Sequence, residues 1–441
     1  MHRRHFLKTM GATSAALLFQ GCDFGSEQAK PNVVLIMADD LGAECLRCYG
    51  GESYETPVLD QLAADGMRSN NAYCTPLCTP TRVQVMTGQY PFRTGWTGGI
   101  WNQPEGKQFL DPDRFNFARM LKDAGYVTAV AGKWQLARFE TRPQHPRNIG
   151  FDASCLWTWL YSEATGDLRL EGEEKPSRYW DPGVWRNGSF MPDTRGKFGP
   201  DIYTDFLIDF IHAHKSDPFF VYFPMALTHW PFVPVPGVEG NKDGTRTPPL
   251  AQQYFADMVE YMDMLVGRLV HTLNDAGLRD KTLILFTGDN GTAEEIRSEF
   301  DSITIPGGKG TLTDAGTRVP LIANWPGTVP GGVINRDLLD FTDIVPTLAE
   351  LAGADISGRV TDGVSFLPQL RGRSGQPRDW IFCQVGDDWF IRDKRYRLRK
   401  DGEFADMINR YDPEIVAGEL SAEARQAKEN LQKSLNQLMQ I

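Results

Sequence analysis

Two apolar runs in this chain end in pairs of oxygen-bearing side chains, one acidic and one an acid followed by an amide. Asn32–Ala38 (NVVLIMA) runs straight into Asp39 and Asp40, and Thr282–Thr287 (TLILFT) is followed after one glycine by Asp289, Asn290 and Gly291. Adjacent like charges at a strand end are costly unless a cation or solvent screens them. Either pair alone reads as a helix cap or turn. Two such pairs on strand ends offer three carboxylates and an amide oxygen, a hard set suited to Ca²⁺ more than to Zn²⁺. Between them lies Pro76-Leu-Cys-Thr-Pro-Thr-Arg82, continuing to Gly88, with Cys78, Pro80 and Arg82 at alternate positions. A lone cysteine is often a small buried hydrophobe. Here its placement between two acidic strand ends points to chemistry.

Three basic side chains sit where a ligand can approach. Lys133 (in GYVTAVAGKW) and Lys309 (in GGKG) have glycine neighbours that leave room for close contact, and His229 (in LTHWP) follows the apolar FFVYF. Taken singly, each reads as an ordinary surface or loop residue. His212 and His214 lie two apart on one predicted helix, do not share a face, and make no metal pair. Trp157, Trp159, Tyr161, Trp180 and Trp185 could stack on sugar rings, although aromatic burial favours a packing role in core or lid.

The elements that must position these residues alternate. The sequence predicts strands at Asn32–Ala38, Tyr126–Ala131, Phe219–Phe223, Thr282–Thr287 and Val319–Ala323. It predicts helices at Pro57–Gly66, Phe115–Ala124, Asp201–His214 and Tyr254–Ala276. Apolar strands alternating with helices indicate an α/β fold with a largely parallel sheet, whose ligands gather at the carboxyl ends of the strands. Gly166–Lys197 breaks the rhythm as a long excursion of the kind that often carries binding residues. From Trp380 the pattern changes to alternating strands around Gly386–Asp387, then a polar helix at Ala422–Met439. The expected organisation is a signal segment at 1–29, a catalytic domain at 30–379 and a small α+β subdomain at 380–441.

Composition sets limits. Of 441 residues, 41% are hydrophobic and 11% aromatic, enough for a substantial core, and the net charge of −11 argues against a nucleic-acid-coating surface. A small anionic substrate remains compatible, because a basic pocket can sit inside an acidic protein. Seven cysteines spread over the chain form no dense disulfide framework, and Cys45–Cys48 lacks the second ligand pair of a zinc site, leaving a redox pair or two ordinary cysteines. The N-terminus MHRRHFLK followed by GATSAALLF is a basic front and a short apolar stretch, a signal peptide that resembles a twin-arginine export signal. Gly21–Cys22 resembles a lipoprotein cleavage site, with Phe19 and Gln20 poor matches, so Cys22 is a candidate lipid anchor. The expected location is periplasmic or secreted, with the twin-arginine translocase as an export partner. No later segment offers the ~20 apolar residues of a membrane span.

The run Pro76–Gly88 resembles the modification motif of the sulfatase family throughout, and likeness extends from Pro31 to about Leu370. The resemblance implies an alkaline-phosphatase-like α/β fold, a bound Ca²⁺, and a formylglycine made from Cys78 by a maturation enzyme. It implies that Asp39, Asp40, modified Cys78, Asp289 and Asn290 hold the metal and that Arg82 holds the modified side chain. Lys133 and Lys309 match the sulfate-binding lysines, and His229 matches the substrate-facing histidine. A metal-activated hydroxyl of the hydrated aldehyde attacks sulfur, the lysines and metal stabilise charge on the sulfuryl oxygens, and the histidine protonates the departing alcohol.

One position departs from the family. Two residues after the signature lysine, where the family usually has histidine, stands Gln135. Glutamine can orient a hydroxyl but cannot take a proton near neutral pH, so another group or water is expected to do so. The expected activity is hydrolysis of a sulfate ester, of a carbohydrate or of an aryl or alkyl alcohol. The alternatives are phosphonate or phosphate ester hydrolysis on the same scaffold, or a non-catalytic binding protein, for which Gln135 is the only feature.

Overall fold

The Asn32–Ala38 run forms a strand buried on both faces along its whole length, which is why it carries no polar alternation. In this computed structural model, residues 30–104, 106–139, 141–158, 160–162, 168–170 and 178–440 are described. The signal segment and Cys22 lie outside them, as do Trp159 and the side chain of Tyr161. Five parallel strands make the centre of a ten-stranded sheet: β1 (Asn32–Ala38), β2 (Val127–Lys133), β3 (Ala153–Trp157), β4 (Phe219–Pro224) and β5 (Thr282–Gly288). Their order is β5-β1-β4-β2-β3.

The register decides where the chemistry falls. Ala38 pairs with Gly288, Met37 with Pro224, and Lys133 with Trp157, so the strands end together at one carboxyl edge. Asp39 and Asp289 are the next residues beyond two neighbouring strands. Beyond β5 the sheet becomes mixed. Leu321–Asn324, near the expected Val319–Ala323 strand, runs antiparallel to β5, and Val184–Arg186 with Ser189–Phe190 adds antiparallel strands beyond β3. Apolar content did not distinguish the direction of Leu321–Asn324, because it is buried along its whole length like its parallel neighbours. Gly132 lets β2 and β4 close together: at φ +115° an added Cβ would lie 2.1 Å from the Pro224 carbonyl oxygen.

Two groups of helices flank the sheet. Leu250–Asp275 packs against both Pro57–Ala64 and Gly199–Ala213, and Cys78–Thr87, Phe117–Asp123 and Ile344–Ala352 form the second group. Asn116 caps the Phe117 helix, accepting from the amides of Ala118 at 3.0 Å and Arg119 at 3.1 Å. The excursion after Gly166 returns as the antiparallel edge. Trp157 is fully buried, Trp185 stacks on Phe139 at 5.7 Å, and Trp180 donates to the Pro234 carbonyl at 2.8 Å, all packing roles. Cys45 and Cys48 are free thiols whose pKa burial pushes up. The chain ends in a five-stranded antiparallel sheet, Ile381–Ile415, covered by helix Ala422–Gln440 through Ala424, Leu431, Leu435 and Leu438.

A buried histidine braces the strand end that carries Lys133. Trp134 Nε1 donates to His145 Nδ1 at 3.0 Å, and the opposite ring nitrogen meets the Leu110 carbonyl at 2.7 Å, which fixes a neutral tautomer. Burial, reinforced by Arg142, lowers the His145 pKa from 6.5 to about 4. The unfolded chain therefore binds a proton that the folded chain refuses, and stability falls as pH drops through that window. Unfolding in urea above and below it should show a loss on the order of 3 kcal/mol from this group, and His145→Ala should flatten that slope. A variant retaining the full pH dependence would assign it elsewhere.

Candidate active site

The cysteine motif is a helix start. Helix α1 (Cys78–Thr87) follows Leu77 in extended backbone and ends at Gly88, which adopts a left-handed φ of +68°. Thr81 Oγ donates to the Thr75 carbonyl at 3.0 Å and ties the first turn to the incoming strand. Cys78 and Arg82 are four apart and share one helix face. Cys78 thus sits at the positive end of the helix with Arg82 directly behind it.

Arg82 is fully buried and joins three elements. Its Nε and Nη2 bond Asp289 Oδ2 at 3.1 and 2.7 Å, Nη1 bonds the Lys133 carbonyl at 3.0 Å, and Nη2 lies 3.7 Å from Asp39 Oδ1. Lys133 Nζ bonds Asp39 Oδ2 at 2.6 Å and Lys309 Nζ bonds Asp40 Oδ2 at 2.6 Å. Lys309 does not end a strand of the main sheet. It lies on the Gly307–Gly310 loop, held by its own amide to the Thr292 carbonyl and by Gly310 to the Pro76 carbonyl. His229 Nε2 is 3.7 Å from Asp40 Oδ2, and its Nδ1 donates to the Trp230 carbonyl at 2.6 Å. Gln135 accepts from Thr79 Oγ at 3.4 Å. Asp40 and Gln135 both hold left-handed backbone, φ +60° and +55°, a conformation that costs non-glycine residues and collects at functional sites. All the motif residues expected from sequence therefore converge on one edge of the sheet.

The electrostatics are those of a cage. Burial would raise the Asp39 pKa, but Lys133, Arg82, Lys309 and Arg178 outweigh it and hold the carboxyl below its usual range. Burial and repulsion from Asp39 push Asp289 up to about 7 despite Arg82. Burial, then the charges of Arg178, Lys133 and Lys309, hold His229 well below the imidazole range, so the ring is neutral. Burial opposes the charge on Lys309, but Asp40 outweighs it and keeps the ammonium protonated.

This donor set fits a hard cation. Asp39 Oδ1 and Asn290 Oδ1 are buried with no hydrogen-bond partner, while Asn290 Nδ2 donates to Asp40 Oδ1 at 2.8 Å. Unsatisfied buried oxygens are costly and need a partner. Among the described residues, ligand atoms of Asp39, Cys78 and Asp289, and of Asp39, Asp40 and His229, lie within 4.8 Å of one another. Gly291 makes room for the turn: a Cβ there would lie 1.8 Å from the Ala315 carbonyl oxygen.

A model of the sulfatase family matches residues 31–354. The chain belongs to the sulfatase family. It is a sulfuric ester hydrolase, as its relatives are named. It is similar to arylsulfatase A of Bos taurus, 33% identical over 380 residues, which is 80% of this chain and 70% of that one. It is also similar to N-acetylgalactosamine-6-O-sulfatase of Bacteroides thetaiotaomicron, 30% identical over 436 residues and 83% of each chain. Its fold matches that of BT4656 in complex with its substrate D-glucosamine-2-N,6-O-disulfate, with a TM-score of 0.73 at 19% identity, over 93% of this chain and 98% of that one.

The candidate site also holds a cation that no motif pointed to. Arg178, 3% exposed, places Nη1 3.9 Å from Asp39 Oδ2 and its guanidinium 4.4 Å over the Trp157 ring. The only signal for it in the sequence was membership of the Gly166–Lys197 excursion. Removing the other buried arginine tests the cage itself. Arg82→Met leaves Asp289 and Asp39 without their shared partner and should cost ~3–5 kcal/mol, read as a lower urea midpoint. An unchanged midpoint would mean that Arg82 does not hold the carboxylates.

Proposed function

We propose that this sulfatase hydrolyses a sulfate monoester of a saccharide, with formylglycine made from Cys78 and with Ca²⁺ held by Asp39, Asp40, Asp289, Asn290 and residue 78. The observation that carries the reading is the position of Cys78 Sγ, within ligand reach of Asp39 and Asp289 at the start of a buried helix. The cysteine side chain stands in for the modified one. An oxygen-rich, acidic and rigid donor set favours Ca²⁺ over softer-ligand metals. When bound, Ca²⁺ supplies acidity to a hydroxyl at residue 78 and charge stabilisation at the sulfuryl oxygens. Formylglycine, once hydrated, supplies that hydroxyl and a second one that lets sulfate leave as the aldehyde is regenerated.

The chain's own residues do the rest. Lys133 and Lys309 bring two ammonium groups to the mouth of the cage, where they can turn from the carboxylates to the sulfuryl oxygens when a cation takes their place. Arg82 holds Asp289 and the Lys133 backbone in register. His229 presents Nε2 to the site; with its ring neutral and Nδ1–H tied to the Trp230 carbonyl, Nε2 must first take up a proton from water before it passes one to the departing alcohol as the sulfur–oxygen ester bond breaks. Gln135 orients by hydrogen bonding with Thr79, so the proton lost as sulfate departs goes to water or another group. The saccharide class is supported by the relative named for N-acetylgalactosamine 6-O-sulfate and by the disulfated glucosamine bound in the structural neighbour. Export by the twin-arginine route, with lipidation at Cys22, rests on the N-terminal sequence. No helix among the described residues is long and apolar enough to cross a membrane.

Co-expression with a formylglycine-generating enzyme should convert Cys78. The peptide spanning it should lose one sulfur and two hydrogens and gain one oxygen. The matured protein should cleave sulfate esters with kcat/KM above that for matched phosphonate esters, and Cys78→Ala should lose at least about a thousandfold. Equal activity in wild type and Cys78→Ala would end the reading, and a preference for phosphonate would move it to the alternative. Calcium at a hundred times its Kd should add about 2.7 kcal/mol of stability, visible as a higher melting temperature that chelation reverses. Coincident melts with calcium and with chelator would remove the metal from the proposal.

A further inference from the structure

The strand ends of β1 and β5 each run on into a short loop, and the two loops meet at Thr292. Thr292 lies two residues beyond Asn290, and Gly42 lies two beyond Asp40. The Gly42 amide donates to Thr292 Oγ at 3.1 Å, and Thr292 Oγ donates to Glu44 Oε1 at 2.5 Å. With its one proton so committed, the hydroxyl accepts a second bond from the Cys45 thiol, 3.3 Å away. The thiol stays protonated there, because burial and the neighbouring Glu44 raise its pKa. The donor and both acceptor positions of one hydroxyl are thus spent on a single turn, Gly42 to Cys45. The Thr292 carbonyl takes the Lys309 amide at 3.0 Å. Thr292 therefore joins three of the loops that build the cage.

Glu44 is costly where it stands. It is buried, burial raises its carboxyl pKa, and Oε2 finds no hydrogen-bond partner among the described residues. An apolar side chain would carry no such penalty. What the carboxyl supplies is an acceptor that orients the Thr292 hydroxyl and leaves its lone pairs to Gly42 and Cys45. Gly42 admits it: a Cβ at that position would lie 2.2 Å from both Glu44 carboxyl oxygens. On the other side, a Cβ on Gly307 would lie 1.8 Å from the Ala293 carbonyl oxygen and 2.9 Å from that of Thr292. The loop carrying Lys309 therefore sits directly on the Thr292 backbone. Backbone packed this closely on both sides of Thr292 makes the spacing of the loops follow wherever Thr292 is held.

We propose that Thr292, oriented by Glu44, is a positioning residue that fixes the distance between the Asp39–Asp40 and Asp289–Asn290 strand ends and seats the loop carrying Lys309. Both residues act through the cage residues, not on the reacting atoms. Hydrogen-bond partners behind a set of ligands hold them at the separation a cation needs, and losing one typically weakens metal affinity by ~10- to 100-fold. The proposal rests on the calcium site proposed above and names the part of the chain that keeps its ligands at that spacing.

The test is a calorimetric calcium titration of full-length, matured protein. Melting temperature without calcium, and kcat/KM on one sulfate ester at saturating calcium, are recorded alongside. Thr292→Val keeps the shape and removes the hydroxyl, and Thr292→Ser returns it. Glu44→Met removes the acceptor, and Glu44→Gln keeps one. Calcium affinity should weaken roughly tenfold or more in Thr292→Val and Glu44→Met, and stay within about threefold of wild type in Thr292→Ser and Glu44→Gln. The kcat/KM values should fall in the same order, because Lys309 shifts with Thr292. A merely structural role would lower the melting temperature and leave calcium affinity alone. Affinity within about threefold of wild type in Thr292→Val, or Thr292→Ser as weak as Thr292→Val, would therefore overturn the proposal. Should Thr292→Val fail to fold, the two Glu44 variants decide by the same thresholds. A wild type that binds calcium yet cleaves no sulfate ester would sink the proposed mechanism and leave this proposal to stand or fall on the calcium affinities. A wild type that binds no calcium would overturn both.

Discussion

Three carboxylates and an amide are forced together at the ends of two neighbouring parallel strands, and everything around them serves to make that tolerable. Asp39, Asp40 and Asp289 are fully buried. Their mutual repulsion is answered by Arg82, Lys133, Lys309 and Arg178, each reaching in from a different element. Two carboxylate and amide oxygens are still left without hydrogen-bond partners. A divalent ion would satisfy those oxygens and release the lysines toward an anion. The cage can thus be read as a binding site for a cation and a tetrahedral anion together.

The periphery holds that cage in place. The loop carrying Lys309 continues to Asp314, which is buried and accepts from Arg392 Nη1 at 3.0 Å and from Tyr73 OH at 3.0 Å. Arg397 donates to the Leu312 carbonyl at 3.3 Å. Both arginines belong to the C-terminal antiparallel sheet, while Tyr73 lies just ahead of the cysteine motif. Cys383 Sγ, from the same sheet, bonds the Cys74 carbonyl at 3.2 Å. The C-terminal unit is therefore a backing plate for the Lys309 loop and for the approach to Cys78. That gives a physical role to part of the 87 residues that follow the family match, which ends at residue 354 of 441.

Much of this was legible because burial on both faces writes a continuous apolar run, and the residue after such a run is at the sheet edge. Asn32–Ala38 and Thr282–Thr287 gave Asp39 and Asp289 in this way, and the spacing of Cys78 and Arg82 gave the helix face. Strand direction was less legible. Leu321–Asn324 is as apolar as its parallel neighbours yet runs the other way, because covered antiparallel strands lose their alternation. Arg178 was not legible at all. Its role depends on a ring and a carboxylate from distant parts of the chain, and no local spacing records that meeting. Gln135 was visible as a departure, but its contact with Thr79 emerged only from the fold.

The most direct measurement is an anomalous-scattering map from crystals of the protein grown in calcium or manganese. The carboxylate cage requires one strong peak bonded by Asp39, Asp40, Asp289 and Asn290 Oδ1, with residue 78 in contact and both lysine ammonium groups moved off the carboxylates. A map with no peak there, and Lys133 and Lys309 still bonded to Asp39 and Asp40, would show that the cations of the chain itself complete the site.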